Sequence, residues 1–261
     1  MVWQIVALIN DKMPFSKQII KALVLILSVN SLIACQKQPP TALSVQLLWQ
    51  GQPLACGQPL PLADASWQLE QLQFYVADFQ HNGQPLLLVE NDWQSTHVSL
   101  LGTDCQSPGQ WQILLQQPLP SGELRFTLGL PSTLNHQNPL TAQSPLQQSD
   151  MHWSWQNGYK FFRLDLQGAA GGWSMHLGST GCRSASVMRA PSAPCLAPNR
   201  PQVALQYQQG DKLTLDLAPL FAVLTPSADN SCMSDPNQRS CQQLLPVFGL
   251  GGAQQLWQSA R

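Results

Sequence analysis

Val203-Ala204-Leu205-Gln206-Tyr207-Gln208-Gln209-Gly210-Asp211-Lys212-Leu213-Thr214-Leu215-Asp216-Leu217 decides the fold class. Apolar side chains occupy every second position: Val203, Leu205 and Tyr207 before the Gln209-Gly210-Asp211 turn, Leu213, Leu215 and Leu217 after it. Successive side chains of a strand point to opposite faces, so a period of two sets one face on a core and the other toward water. The same period runs through Leu43, Val45 and Leu47, through residues 69–74, through Leu124, Phe126, Leu128 and Leu130, and through Phe162, Leu164 and Leu166. Each run is short and bounded by Gly, Pro, Asn or Asp, the spacing of an antiparallel sandwich or barrel. The 21 prolines interrupt helices throughout. Only residues 218–224 read as a short helix, with Pro219 in the first turn. The expectation is one all-β domain over residues 43–261, an antiparallel β-sandwich with long disulfide-braced loops.

Upstream of that domain, residues 13–35 read as an export signal. Lys17 and Lys21 give the positive start, and residues 22–33 give an apolar core too short to span a bilayer comfortably. The end of the segment, Leu32-Ile33-Ala34-Cys35, resembles the lipobox of bacterial lipoproteins, whose cysteine is lipidated and becomes the mature N-terminus. A plain signal peptide or a buried helix is the rival reading. Met13 is a better start than Met1. Residues 1–34 are therefore expected to be a signal peptide and residues 35–42 a lipid-anchored linker. Gln36 after Cys35 is compatible with the outer membrane, and the domain would face the periplasm. With 10% charged residues and a net charge of −1, the chain carries no electrostatic footprint for nucleic acid or a polybasic membrane patch.

Of the 7 cysteines, lipidation of Cys35 leaves Cys56, Cys105, Cys182, Cys195, Cys232 and Cys241. An even number in an exported chain reads as disulfides. Local spacing favours Cys182–Cys195 and Cys232–Cys241, which leaves Cys56–Cys105. A thiolate metal site is the rival, but no CxxC pair is present.

Two stretches mix soft ligands with indole rings. Trp173-Ser174-Met175-His176-Leu177-Gly178-Ser179-Thr180-Gly181-Cys182 is one, and Met151-His152-Trp153-Ser154-Trp155 is the other. Thioether and imidazole suit copper. Strand alternation sets Met151, Trp153 and Trp155 on one face and His152 on the other, so His152 ranks as a second-choice ligand. His136 sits in a loop, where it can face a site without disturbing a sheet. His81 and His97 read as surface residues. Competing readings keep Trp153 and Trp155 as apolar anchors, or read residues 176–181 as an oxyanion-type loop of a hydrolase using His176 and Ser179, with Ser179 as nucleophile and a general base still required. No G-x-S-x-G elbow supports the latter. The oxygen-rich residues Asp229, Asn230, Asp235 and Asn237 fail the EF-hand spacing.

Several ordered motifs resemble those of the MbnP-like proteins, also called metallo-mystery-pair four-Cys motif proteins. They are Phe74-Tyr75-Val76-Ala77-Asp78, Leu134-Asn135-His136, residues 151–161, His176-Leu177-Gly178-Ser179-Thr180-Gly181-Cys182, Cys195 with Pro198-Asn199-Arg200, and Cys232-Met233-Ser234. The resemblance spans about residues 43 to 250. It implies a periplasmic copper-binding protein that is not an enzyme. It also implies a di-haem partner of the bacterial cytochrome-c-peroxidase type (MbnH type), which oxidises a tryptophan to kynurenine. Kynurenine offers an aromatic amine, whereas an indole N–H donates and does not ligate. By this resemblance His136 and His176 are the imidazole ligands and Trp153 or Trp155 is modified; the shared strand face adds Met151 beside Trp153 and Trp155 near the copper. Cys182, Cys195, Cys232 and Cys241 are the family's four cysteines, with Cys56 and Cys105 an extra pair. The alternative is a surface lipoprotein that binds carbohydrate or protein through exposed tryptophans.

Overall fold

The computed structural model describes residues 39–62, 65–154 and 156–261. The export signal, Cys35, the start of the linker and Trp155 lie outside the described residues. Pro40–Arg261 forms one compact unit.

Among the described residues, fourteen strands make two sheets. They are β1 (Thr41–Trp49), β2 (Gln52–Pro53), β3 (Pro59–Leu62), β4 (Ala65–His81), β5 (Gln84–Pro85), β6 (Val98–Thr103) and β7 (Gln112–Leu115). After them come β8 (Gly122–Leu128), β9 (His152–Ser154), β10 (Gly158–Gly168), β11 (Gly171–Gly178), β12 (Gln202–Tyr207), β13 (Lys212–Asp216) and β14 (Trp257–Ala260). The larger sheet runs β11-β10-β4-β8-β12, with β3, β5 and β6 also on β4 and β9 on β10. The smaller runs β14-β13-β1-β2, with β7 on β1.

The alternating runs became strands because one face of each is buried. Leu43, Val45 and Leu47 are buried on β1, and Leu213 and Leu215 on β13. Rings from both sheets meet between the layers. Trp257 of β14 packs edge-on to Phe74 of β4 at 5.5 Å and to Phe126 of β8 at 5.1 Å, a geometry that adds to simple burial. Residues 218–224 match the helix Ala218–Val223, with Pro in its first turn.

Two features exceed the sequence reading. The Gln209-Gly210-Asp211 turn joins the sheets instead of closing a hairpin, since β12 pairs with β8 and β13 with β1 and β14. The β1–β13 pairing is parallel, whereas the other pairings between these strands are antiparallel. All three disulfides form as the spacing predicted: Cys56–Cys105, Cys182–Cys195 and Cys232–Cys241. Among the described residues no helix is long and apolar enough to cross a membrane.

Candidate metal centre

β10 and β11 form a hairpin about Gly168-Ala169-Ala170-Gly171, with Arg163 opposite His176 and Asp165 opposite Ser174. Cross-strand partners share a face, so these four polar residues stand together while Leu164, Leu166, Trp173, Met175 and Leu177 line the buried face. The outer edge of β11 is covered by the segment around Cys232. His176 N–H donates to the Cys232 carbonyl and Cys232 N–H to the Ser174 carbonyl, each at 2.8 Å. Ser234 Oγ accepts from Gly178 N–H and donates to the His176 carbonyl, both at 2.8 Å. The Cys232–Cys241 disulfide thus anchors the segment that fixes the His176 backbone.

His176 is only 8% exposed. Its Nε2 lies 2.7 Å from Asp165 Oδ1. That oxygen also accepts from Ser174 Oγ at 2.6 Å, and Oδ2 accepts from Arg163 Nε at 2.6 Å. Burial alone would raise the Asp165 carboxyl, but its hydrogen bonds with His176, Ser174 and Arg163 hold it well below the usual carboxylate range. Burial, aided by the charges of Lys160 and Arg163, pushes the imidazole pKa down against the opposing pull of Asp165. His176 Nδ1 is buried with no hydrogen-bond partner.

Trp153 of β9 lies over Gly178, its indole centroid 6.3 Å from the His176 ring. His152, the preceding residue, packs edge-on against Tyr159 at 4.8 Å, and its Nε2 is also buried without a partner. Its pKa is lowered by burial and then by the charges of His136 and Lys160, which places His136 nearby. Burial also brings the Lys160 ammonium down to about 8. That ammonium donates to the Asp150 carbonyl at 2.5 Å.

His136 follows the short helix Ser132–Asn135. Asn135 Oδ1 accepts Tyr159 N–H at 2.9 Å, which fixes the amide with Nδ2 as donor. That Nδ2 lies 3.4 Å from Ser179 Oγ and 3.3 Å from His136 Nε2, so Nε2 is the accepting nitrogen. Cys195 Sγ is 3.7 Å from the same nitrogen. The ligand atoms of His136, Cys182 and Cys195 lie within 4.8 Å of one another, the spacing of a metal trio. The two sulfurs are bonded to each other, however, and a disulfide supplies no thiolate, so the imidazole alone retains ligand character. Ser179 Oγ donates to the Pro198 carbonyl at 3.0 Å. Ser179 lines two cavities: one of about 430 Å³ shared with His136 and Pro194, and one of about 290 Å³ shared with Trp153 and Met233.

The structure thus sets Trp153 beside His176 at the end of β11, and His136 near His152 at the start of β9–β10. Met151 is fully buried in the apolar core, as are Trp173 and Met175. His81 is half-buried, with Nε2 enclosed and unpartnered. Asp165, Arg163 and Asn135 join the site residues through contacts that their local sequence does not mark.

The family model MbnP matches residues 38–234. Among solved structures, MbnP from Methylosinus trichosporium superposes with a TM-score of 0.73 at 22% identity, covering 85% of this chain and 98% of that one. That likeness establishes the shared fold. No curated protein matches the chain in sequence.

Proposed function

The chain belongs to the MbnP family, and on that premise we propose that it is a copper-binding protein of the bacterial envelope. Its copper would be held by the His136 imidazole and His176 Nδ1 together with Trp153 once that residue is oxidised to kynurenine. The observation that carries this reading is the buried, unpartnered Nδ1 of His176 beside Trp153; His152 Nε2 is a second buried imidazole nitrogen without a partner. A buried nitrogen lone pair left unpaired costs roughly 1–3 kcal/mol, and a bound metal ion removes that cost. Imidazole is a suitable copper donor, and both rings are held toward their neutral, ligating form. His152 is therefore a third imidazole candidate. Met151, enclosed in the core, packs instead of coordinating in this reading.

Indole itself is not a ligand. Oxidation by a di-haem partner of the cytochrome-c-peroxidase type would convert Trp153, or its neighbour Trp155, into an aromatic amine donor. Trp153 is only half-buried and lines an open cavity, which suits attack by an outside oxidant. Anchoring through Cys35 would hold the domain at the outer membrane facing the periplasm. Binding and relay, with no substrate turned over, is the role this arrangement supports, since the Ser179 hydroxyl is committed to a backbone carbonyl.

Copper content tests the assignment. Protein co-produced with the di-haem partner should carry copper, while His176→Ala and His136→Ala should lose it with their thermal transitions retained. Full copper in both variants would overturn the ligand set.

A further inference from the structure

We propose that Asp165 is the positioning residue that presents His176 Nδ1, and not Nε2, as the metal-ligating atom. The inference rests on the copper reading of the site. An ionised carboxylate only accepts hydrogen bonds, so the 2.7 Å contact between Asp165 Oδ1 and His176 Nε2 requires the proton to sit on Nε2. In a neutral ring the lone pair then belongs to Nδ1, the buried atom with no partner. Ligating histidines commonly donate their other N–H to a carboxylate, which fixes ring orientation and strengthens the donor.

The carboxylate is itself held from both sides. Ser174 Oγ donates to Oδ1 at 2.6 Å and Arg163 Nε to Oδ2 at 2.6 Å, so neither oxygen is at liberty to turn away. Arg163 also reaches Asp150, with NH1 3.1 Å from its carbonyl and from Oδ2. Asp150 immediately precedes Met151-His152-Trp153, so one guanidinium ties the His176 carboxylate to the base of β9. His176 Nδ1 is enclosed and empty-handed, the arrangement expected of a prepared ligand.

Two measurements on the full chain test the assignment. Long-range ¹H–¹⁵N NMR of the metal-free protein should show His176 as one tautomer, protonated at Nε2. Asp165→Asn, of the same size, should lower the thermal transition while leaving a cooperative one, and weaken copper binding by roughly 10–100-fold, with Asp165→Glu recovering part of the loss. Protonation at Nδ1 in the wild type, or unchanged copper affinity in both Asp165→Asn and Asp165→Ala, would overturn the proposal. A fixed Nε2–H tautomer in a wild-type protein that binds no copper, even after exposure to the di-haem partner, supports the positioning role and removes the copper reading instead.

Discussion

The Trp153 indole rests directly on Gly178: a Cβ built on that glycine would stand 2.5 Å from Trp153 Cζ3 and 2.9 Å from the Tyr159 carbonyl. Only a residue without a side chain lets the ring settle beside His176. The Gly-Ser-Thr-Gly run after His176 thus has a packing role in addition to its turn.

Gly178→Ala should therefore disturb the site without removing any ligand. Forcing a methyl into this contact is expected to cost about 1–3 kcal/mol and to displace the indole, lowering copper content. Thermal unfolding and Trp fluorescence check it; an unchanged emission spectrum with full copper loading would argue against the close approach.

Two of the three disulfides should separate structural from site effects. In the chain-entropy picture, loss of Cys56–Cys105, with a separation of 49, costs about 4 kcal/mol, and loss of Cys182–Cys195, with a separation of 13, about 3 kcal/mol. Only the second sulfur pair adjoins His136. Paired Cys182→Ser and Cys195→Ser changes should reduce copper content, whereas the Cys56→Ser and Cys105→Ser pair should lower the Tm and leave copper unchanged.

Acid should weaken the metal-free fold in two stages. His176 and His152 have native pKa values lowered by burial, so below about pH 6.5 the unfolded chain takes up protons that the native state refuses. Stability contributed above that pH is lost as the pH falls toward the native values. Asp165 behaves likewise at lower pH: its contribution is present above about pH 4 and fades as the pH falls through its depressed native value. A Tm that stays flat from pH 7 to pH 5 would contradict the first stage.

The strands were legible because their alternation reports directly on half-buried faces, as Leu43, Val45 and Leu47 illustrate. The crossing of the Gln209-Gly210-Asp211 turn between sheets was not, because alternation says which face is buried and nothing about which strand lies alongside. His176 stood out through its neighbouring motif. Asp165 did not, because between Leu164 and Leu166 it reads as an ordinary solvent-facing residue. One signal was available: the Gly168-Ala169-Ala170-Gly171 turn sets the hairpin register and puts Asp165 opposite Ser174, one step diagonal to His176. The closeness of His152 to His136 is long-range packing of the segment 130–150 and leaves no mark in local spacing.

The most direct test of the copper assignment is peptide mass spectrometry across residues 151–163, on protein co-produced with its di-haem partner and assayed for copper in the same sample. Kynurenine at Trp153 or Trp155 together with bound copper is the predicted result. Intact tryptophans and no copper, in the presence of an active partner, would contradict it.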